Sequence, residues 1–446
     1  MIGFGNTIGA LVAIIQGGTN LQGGTLTMDE AVKIAQSNAF SVRLQKSVIE
    51  KNRLKVQEAK GNLGPSISLG ANYTRYDQAL TTSFGGGAPI VIQPIDSKIA
   101  NATLTLPIDI AGNKVRLLRA SEASRRASEL ALNGSFNDAK LNVRQAYLSV
   151  LRAQALVVVD QLALKDAKER LDQGQKQFDQ QQVAKLDVTR YKAQVAQSES
   201  DLIAAQDNLT LANYAFNLTL ARPIETPVTL VDIQELPTFD TGIDALVKSA
   251  QHKRPEVVSA IENLKALGLI TRGTEAGLNP TLSLQIQNQH TIDAQGFSSR
   301  SQSTTGTLLL NIPIFDSGVT RAKVKQSRQD EVQSRISLEQ TQLGISQDVR
   351  NAVANLTSAK ARFDSANVQV SLAEEVYRLA KVKQDAGAGT YYEVVDAETQ
   401  LTQARNGQVS ARYDYLTSYS QLQRAVGQDD LAAAASTSEM APKGRK

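Results

Sequence analysis

Residues 386–401, AGAGTYYEVVDAETQL, set a glycine-bearing turn directly before a helical pattern and place Glu393 and Asp396 three residues apart. In a helix that spacing puts both carboxylates on one face. Such a pair serves as an acid and base, as a metal site, as the complement to a helix N-terminus, or as the lining of a pore. The chain has no cysteine, and its two histidines, His252 and His290, lie far apart with no metal-type spacing around them. An i, i+3 pair of carboxylates without a neighbouring His, Cys or metal partner has no nucleophile to activate. No catalytic, cofactor-binding or metal-ligating residue is assigned, and the chain is not expected to be an enzyme. A pore lining and a helix-dipole partner are the two readings that stay open.

The elements that must position this pair come from a duplicated chain. "GNLGPSISL" is answered by "AGLNPTLSL", and "LTLPIDIAGNKVR" by "LNIPIFDSGVTRA", with Pro107 matching Pro313 and Gly112 matching Gly318. From there a constant shift of 206 runs without gaps for over 100 residues, pairing Asp187-Val188 with Glu393-Val394. Self-similarity at that scale marks a tandem repeat, joined near residues 223–240, where Pro223, Pro227 and Pro237 cluster. The repeats are delimited as 26–222 and 242–427. A linker of 223–241 joins them, with a signal-like N-terminus, 1–25, and a flexible tail, 428–446, outside.

Proline is absent between Pro107 and Pro223 and between Pro313 and Pro442, so both windows are free to be helical at full length. Ala139, Val143, Ala146, Val150, Ala153 and Val157 keep 4-3 spacing, as do Ile345, Val349, Ala352, Leu356, Ala359 and Phe363 in the second repeat. A sustained heptad is the mark of coiled-coil packing. A helix over about 114–180 spans roughly 100 Å. A second heptad helix follows each one after only "DQQQVAK" or "DAGAGTY", which predicts two antiparallel hairpins. Glu393 and Asp396 fall just past the second turn.

Strand signals precede each hairpin. The pairs 66–76 with 98–107 and 281–288 with 303–313 alternate apolar residues such as Ile67, Leu69, Leu104 and Leu284 with uncharged polar ones such as Ser68, Thr103 and Gln285. That is the lipid-out, water-in pattern of a transmembrane β-barrel. Four strands cannot close such a barrel, because open edges in lipid leave backbone groups unsatisfied, so several chains must share one. The segments 77–97 and 288–302 are then the outer loops. No run reaches the roughly 18 apolar residues of a membrane-spanning helix, the net charge of +4 is spread along the chain, and nucleic-acid binding has no support. The apolar run Ile8–Ile15 resembles a signal-peptide core without its basic flank.

With "TLTMDEAVKIAQSN", "LGPSISL", "PIFDSG", "HKRPEV" and "YYEVVDAETQLTQARNGQVSARYDYL" in this order, the chain resembles the TolC-like outer-membrane efflux proteins from about Leu26 to Gly427. The resemblance implies a mainly α fold with a membrane β-barrel part. In it, three chains form a 12-stranded barrel continued by a periplasmic α-helical barrel. It further implies an exit duct for a tripartite efflux or type I secretion system, working with a periplasmic adaptor and an inner-membrane transporter. The alternative is a coiled-coil spacer anchored in the outer membrane. Glu393 and Asp396 match carboxylates that ring the family's periplasmic entrance, and Asp187 matches a latch residue. The latch's tyrosine and arginine partners are replaced by Gln384 and Gly389, with Tyr391 and Tyr392 near enough to substitute. Carboxylates crowded into a ring are expected to hold some raised pKa values or to bind cations.

Overall fold

The computed structural model describes residues 25–427 apart from 84, 88, 234–235, 238–241, 293 and 295–299. The signal-like segment up to residue 24 and the tail 428–446 lie outside the described residues.

In chain order the elements are helices α1 (Met28–Asn38) and α2 (Phe40–Gly61), and strands β1 (Ser66–Arg75), β2 (Leu80–Thr82), β3 (Ile90–Gln93) and β4 (Asp96–Ile108). Helices α3 (Asn113–Asp179), α4 (Lys185–Thr219), α5 (Ile243–Lys253) and α6 (Pro255–Glu275) follow, then strands β5 (Thr281–Thr291) and β6 (Gln302–Asn311). Helices α7 (Val319–Asp385) and α8 (Tyr391–Val426) complete the chain. Both α3 and α7 run for 67 residues, as the proline-free windows allow. The fold is mainly α with a β part, and it carries the two repeats.

The chain packs as two compact units that cut across both repeats. One comprises residues up to Leu44, Asn133–Arg254 and Leu343 onward; the other comprises Gln45–Leu132 and Pro255–Gln342.

The second unit holds an antiparallel sheet in the order β1-β4-β5-β6. Its register aligns like with like. Ser68 faces Thr103, which faces Gln287, which faces Thr305, while Leu106, Leu284 and Leu308 form an apolar row. In these rows polar and apolar residues lie on opposite faces, since a strand's side chains alternate, while the row Leu69-Ala102-Asn288-Thr304 and Leu309 opposite Ser283 break the sorting. The edge strands carry highly exposed apolar residues: Ile67 and Leu69 on β1, Leu308 and Leu310 on β6. The segment 77–97, expected as loop, contains the hairpin β2-β3. Its strands are too short and irregular to show a period-2 pattern, so the glycines between them dominated the signal. β5 continues to Thr291, which shortens the loop expected at 288–302.

Each long helix starts alike. Asp109 accepts from Asn113 and Val115 N–H, and Asp316 from Gly318 and Thr320 N–H. These bonds satisfy orphan donors at the helix start. Gly112 and Gly318 sit at φ +67° and +85°, where a side chain is strained.

In the first unit, the heptad positions Val143, Val150, Ala153 and Val157 of α3 and Ile345, Val349, Ala352, Leu356 and Ala359 of α7 are buried. One 18-residue stretch of α3 does reach the hydropathy of a membrane span, against the sequence expectation, and a third of it is buried within the chain. Buried Tyr147 of α3 receives the Val231 N–H at 3.0 Å and lies 2.9 Å from the Leu26 carbonyl, so one hydroxyl ties down both the start of the first repeat and the inter-repeat linker. Asp232 of that linker is held by Arg412 and Tyr413 of α8.

Candidate functional site

The turn between α7 and α8 is built by backbone bonds. Ala386 N–H donates to the Val382 carbonyl, Gly387 to Gln384, and both Ala388 and Gly389 to Lys383. Gly387 takes φ +71°, the left-handed cap that closes the carbonyl end of a helix. The turn between α3 and α4 repeats this pattern 206 residues earlier. Gln180, Gln181 and Gln182 donate to Lys176, Phe178 and Gln177, and Gln181 occupies the left-handed position at φ +57°.

A Cβ added to Gly389 would stand 2.8 Å from Gln384 N and 3.0 Å from Lys383 C. This turn leaves no room for a side chain at position 389.

Helix α8 opens at Thr390, whose Oγ1 accepts the Glu393 N–H at 3.4 Å. The Glu393 carboxylate faces back across the turn, and Lys383 Nζ donates to both of its oxygens at 2.9 Å. That bond holds the Glu393 carboxyl below its ordinary range within one chain. Asp396 is exposed and accepts from Gln400 Nε2 at 2.7 Å. Asp187 occupies the equivalent of Glu393 at the start of α4. There it accepts the Ala184 N–H at 3.4 Å and lies 3.9 Å from Arg190. Within one chain Asp187 is thus a helix-start acid, and no contact brings it to Glu393 or Asp396.

Other residues join the two hairpins. Arg170 of α3 and Glu398 of α8 form an ion pair whose side chains are only 12% and 7% exposed. The Arg170 guanidinium also lies 5.8 Å from the Tyr377 ring, and burial pulls its pKa down. Tyr191 of α4 meets Tyr391 of α8 edge to face at 4.3 Å and hydrogen-bonds Gln384. Tyr391, expected as a substitute for the missing latch, does contact the other hairpin. Tyr392 is 70% exposed.

Lys383 and the Arg170–Glu398 pair were not singled out from sequence. A signal existed for the pair, because Glu398 follows the heptad residue Ala397 and Arg170 precedes Leu171, the flanking positions where coiled coils place ion pairs.

The two duplicated hairpins, their paired turns and the open four-stranded sheet match a described family. Its members are described as "Outer membrane efflux protein", and residues 31–221 and 246–428 match it. The chain belongs to this family. As an outer membrane efflux protein it is an outer-membrane channel protein for efflux or secretion, in a family of channels rather than enzymes. It is 23% identical to outer membrane protein TolC of Escherichia coli over 409 residues, 88% of this chain and 80% of that one. It is 24% identical over 317 residues to the probable efflux pump outer membrane protein TtgC of Pseudomonas putida, covering 69% and 62% of the two chains. Its fold superimposes on the Campylobacter jejuni CmeC outer membrane channel with a TM-score of 0.77 at 17% identity, over 95% of this chain and 94% of that one.

Proposed function

We propose that this efflux protein is the passive exit duct of a tripartite efflux or type I secretion system, assembled as a homotrimer. In this reading it receives cargo from an inner-membrane transporter through a periplasmic adaptor and conducts it across the periplasm and outer membrane. The observation that carries the reading is the open sheet. Its central rows sort polar from apolar residues in register, yet β1 and β6 are edges with exposed Ile67, Leu69, Leu308 and Leu310. Such edges are excluded from lipid unless other copies pair with them, and three copies of four strands give a barrel of a common size.

In this assembly the second turn of each chain lies at the periplasmic entrance. Asp396 and Glu393 supply the carboxylates of that aperture, and Asp187 at the neighbouring turn contributes to its closure. An acidic constriction favours cations.

Single-channel recording of the purified protein in a planar bilayer, with its mass in detergent, tests the whole reading. The expected result is a cation-preferring conductance from a particle of three chains. The double variant Glu393→Ala, Asp396→Ala should weaken cation preference and relieve divalent block from the periplasmic side, while assembly is retained. Channel activity from a single chain would sink the architecture; unchanged selectivity in the double variant would return both acids to helix-start roles.

A further inference from the structure

We infer that Lys383 is a built-in counter-ion of the entrance, so that ion preference there is set by Asp396 and tuned by Lys383, with Glu393 held in reserve. The inference rests on the aperture reading above and assigns the roles within it.

Three observations carry it. First, the Lys383 ammonium sits 2.9 Å from both Glu393 oxygens, the positions a bound cation would take. Second, its backbone is fixed at the base of the turn, where the Lys383 carbonyl accepts both the Ala388 and Gly389 N–H groups. The ammonium is thus tethered next to its target, at an effective concentration on the order of millimolar or above, and competes with free ions at ordinary levels. Third, the two repeats differ here. The counterpart of Lys383 at the first turn is Gln177, and the counterpart of Asp396 is Arg190, which lies 3.9 Å from Asp187. Each turn therefore pairs its helix-start acid with a cation, from a different direction in each repeat. Only the second turn sets another carboxylate three residues past its helix-start acid, Asp396, whose partner is the neutral amide of Gln400.

The charge consequence is direct. Lys383 and Glu393 cancel, so of the two carboxylates on the first turns of α8 only Asp396 stays uncompensated. From these two positions a threefold ring then presents three uncompensated carboxylates rather than six. Mutual repulsion around the ring is correspondingly smaller. Removing the lysine charge frees Glu393 to join Asp396, one helical turn away on the same face, as a second ligand for a divalent ion.

The test is Mg²⁺ block of the full-length protein in a planar bilayer, with the ion added on the periplasmic side. Lys383→Gln should lower the half-blocking concentration about tenfold, the scale of one added carboxylate acting on a divalent ion across several ångströms of near-aqueous medium, and should shift the reversal potential toward cations. Lys383→Arg should stay close to the parent. Lys383→Gln with Glu393→Gln should return block to the parent level, because the freed acid is gone. If Lys383→Gln matches the parent while Asp396→Asn abolishes block, the counter-ion role is overturned and the aperture reading stands. If Asp396→Asn and Glu393→Gln both leave block and selectivity unchanged, the aperture reading itself fails, and this inference with it.

Discussion

Gly389 shows how one missing side chain shapes the turn. Its hypothetical Cβ meets backbone atoms of Gln384 and Lys383, which cannot swing aside as a flexible side chain would. Gly389→Ala is therefore expected to lower thermal stability by about 1–3 kcal/mol, the cost of forcing an extra carbon into filled space. Gly407, in the middle of α8, has nothing within 4 Å of its Cβ position. Gly407→Ala should stabilise by about 0.5–1 kcal/mol, since alanine loses less conformational freedom in a helix. Thermal unfolding of the two variants should shift in opposite directions; a shared direction would contradict the turn geometry. The spacing of Glu393 and Asp396 was legible in the sequence, but the ion pair that Glu393 makes was not. Its partner Lys383 lies ten residues earlier, and only the path of the turn brings the two together.

At the scale of elements, the hairpins were legible because heptads and proline-free windows are local signals. Their mutual contacts are non-local. Arg170 and Glu398 are 228 positions apart and meet only because α3 and α8 pack side by side. Burying that pair removes hydration from both charges, so deleting one partner leaves the other uncompensated. Glu398→Ala is expected to destabilise by about 3–5 kcal/mol, whereas Arg170→Met with Glu398→Leu should come much closer to the parent. A double-mutant cycle followed by chemical unfolding measures the difference. Equal losses in the single and double variants would show that packing, and not the ion pair, joins the hairpins. The short hairpin β2-β3 was missed for the opposite reason: three- and four-residue strands carry too little periodicity to stand out from a glycine-rich segment.

At the scale of the molecule, the open sheet yields a prediction about assembly. β1 and β6 are separated within one chain by β4 and β5, about 14 Å at the usual strand spacing. A disulfide needs Cα atoms within roughly 7 Å. The chain has no native cysteine, so a scan of single cysteines in β1 combined with single cysteines in β6 can form bridges only between copies. In-register pairs should give covalent trimers on non-reducing gels after oxidation in membranes. Monomers throughout the scan would refute barrel closure by neighbouring copies.

The sequence by itself determined what periodicity can encode: the duplication, the long helices, the alternating strands and the insufficiency of four strands. These follow from local geometry, 3.6 residues to a helical turn and two to a strand repeat. The tertiary structure decided what depends on distant residues meeting. It placed the compact units across the repeats rather than along them, because each long helix is shared between a strand-bearing part and a hairpin-bearing part. It also put Lys383 against Glu393, turning a pair of like charges into one neutralised acid and one exposed acid. Coulomb interaction depends on separation in space, and separation across a turn is a property of the folded backbone.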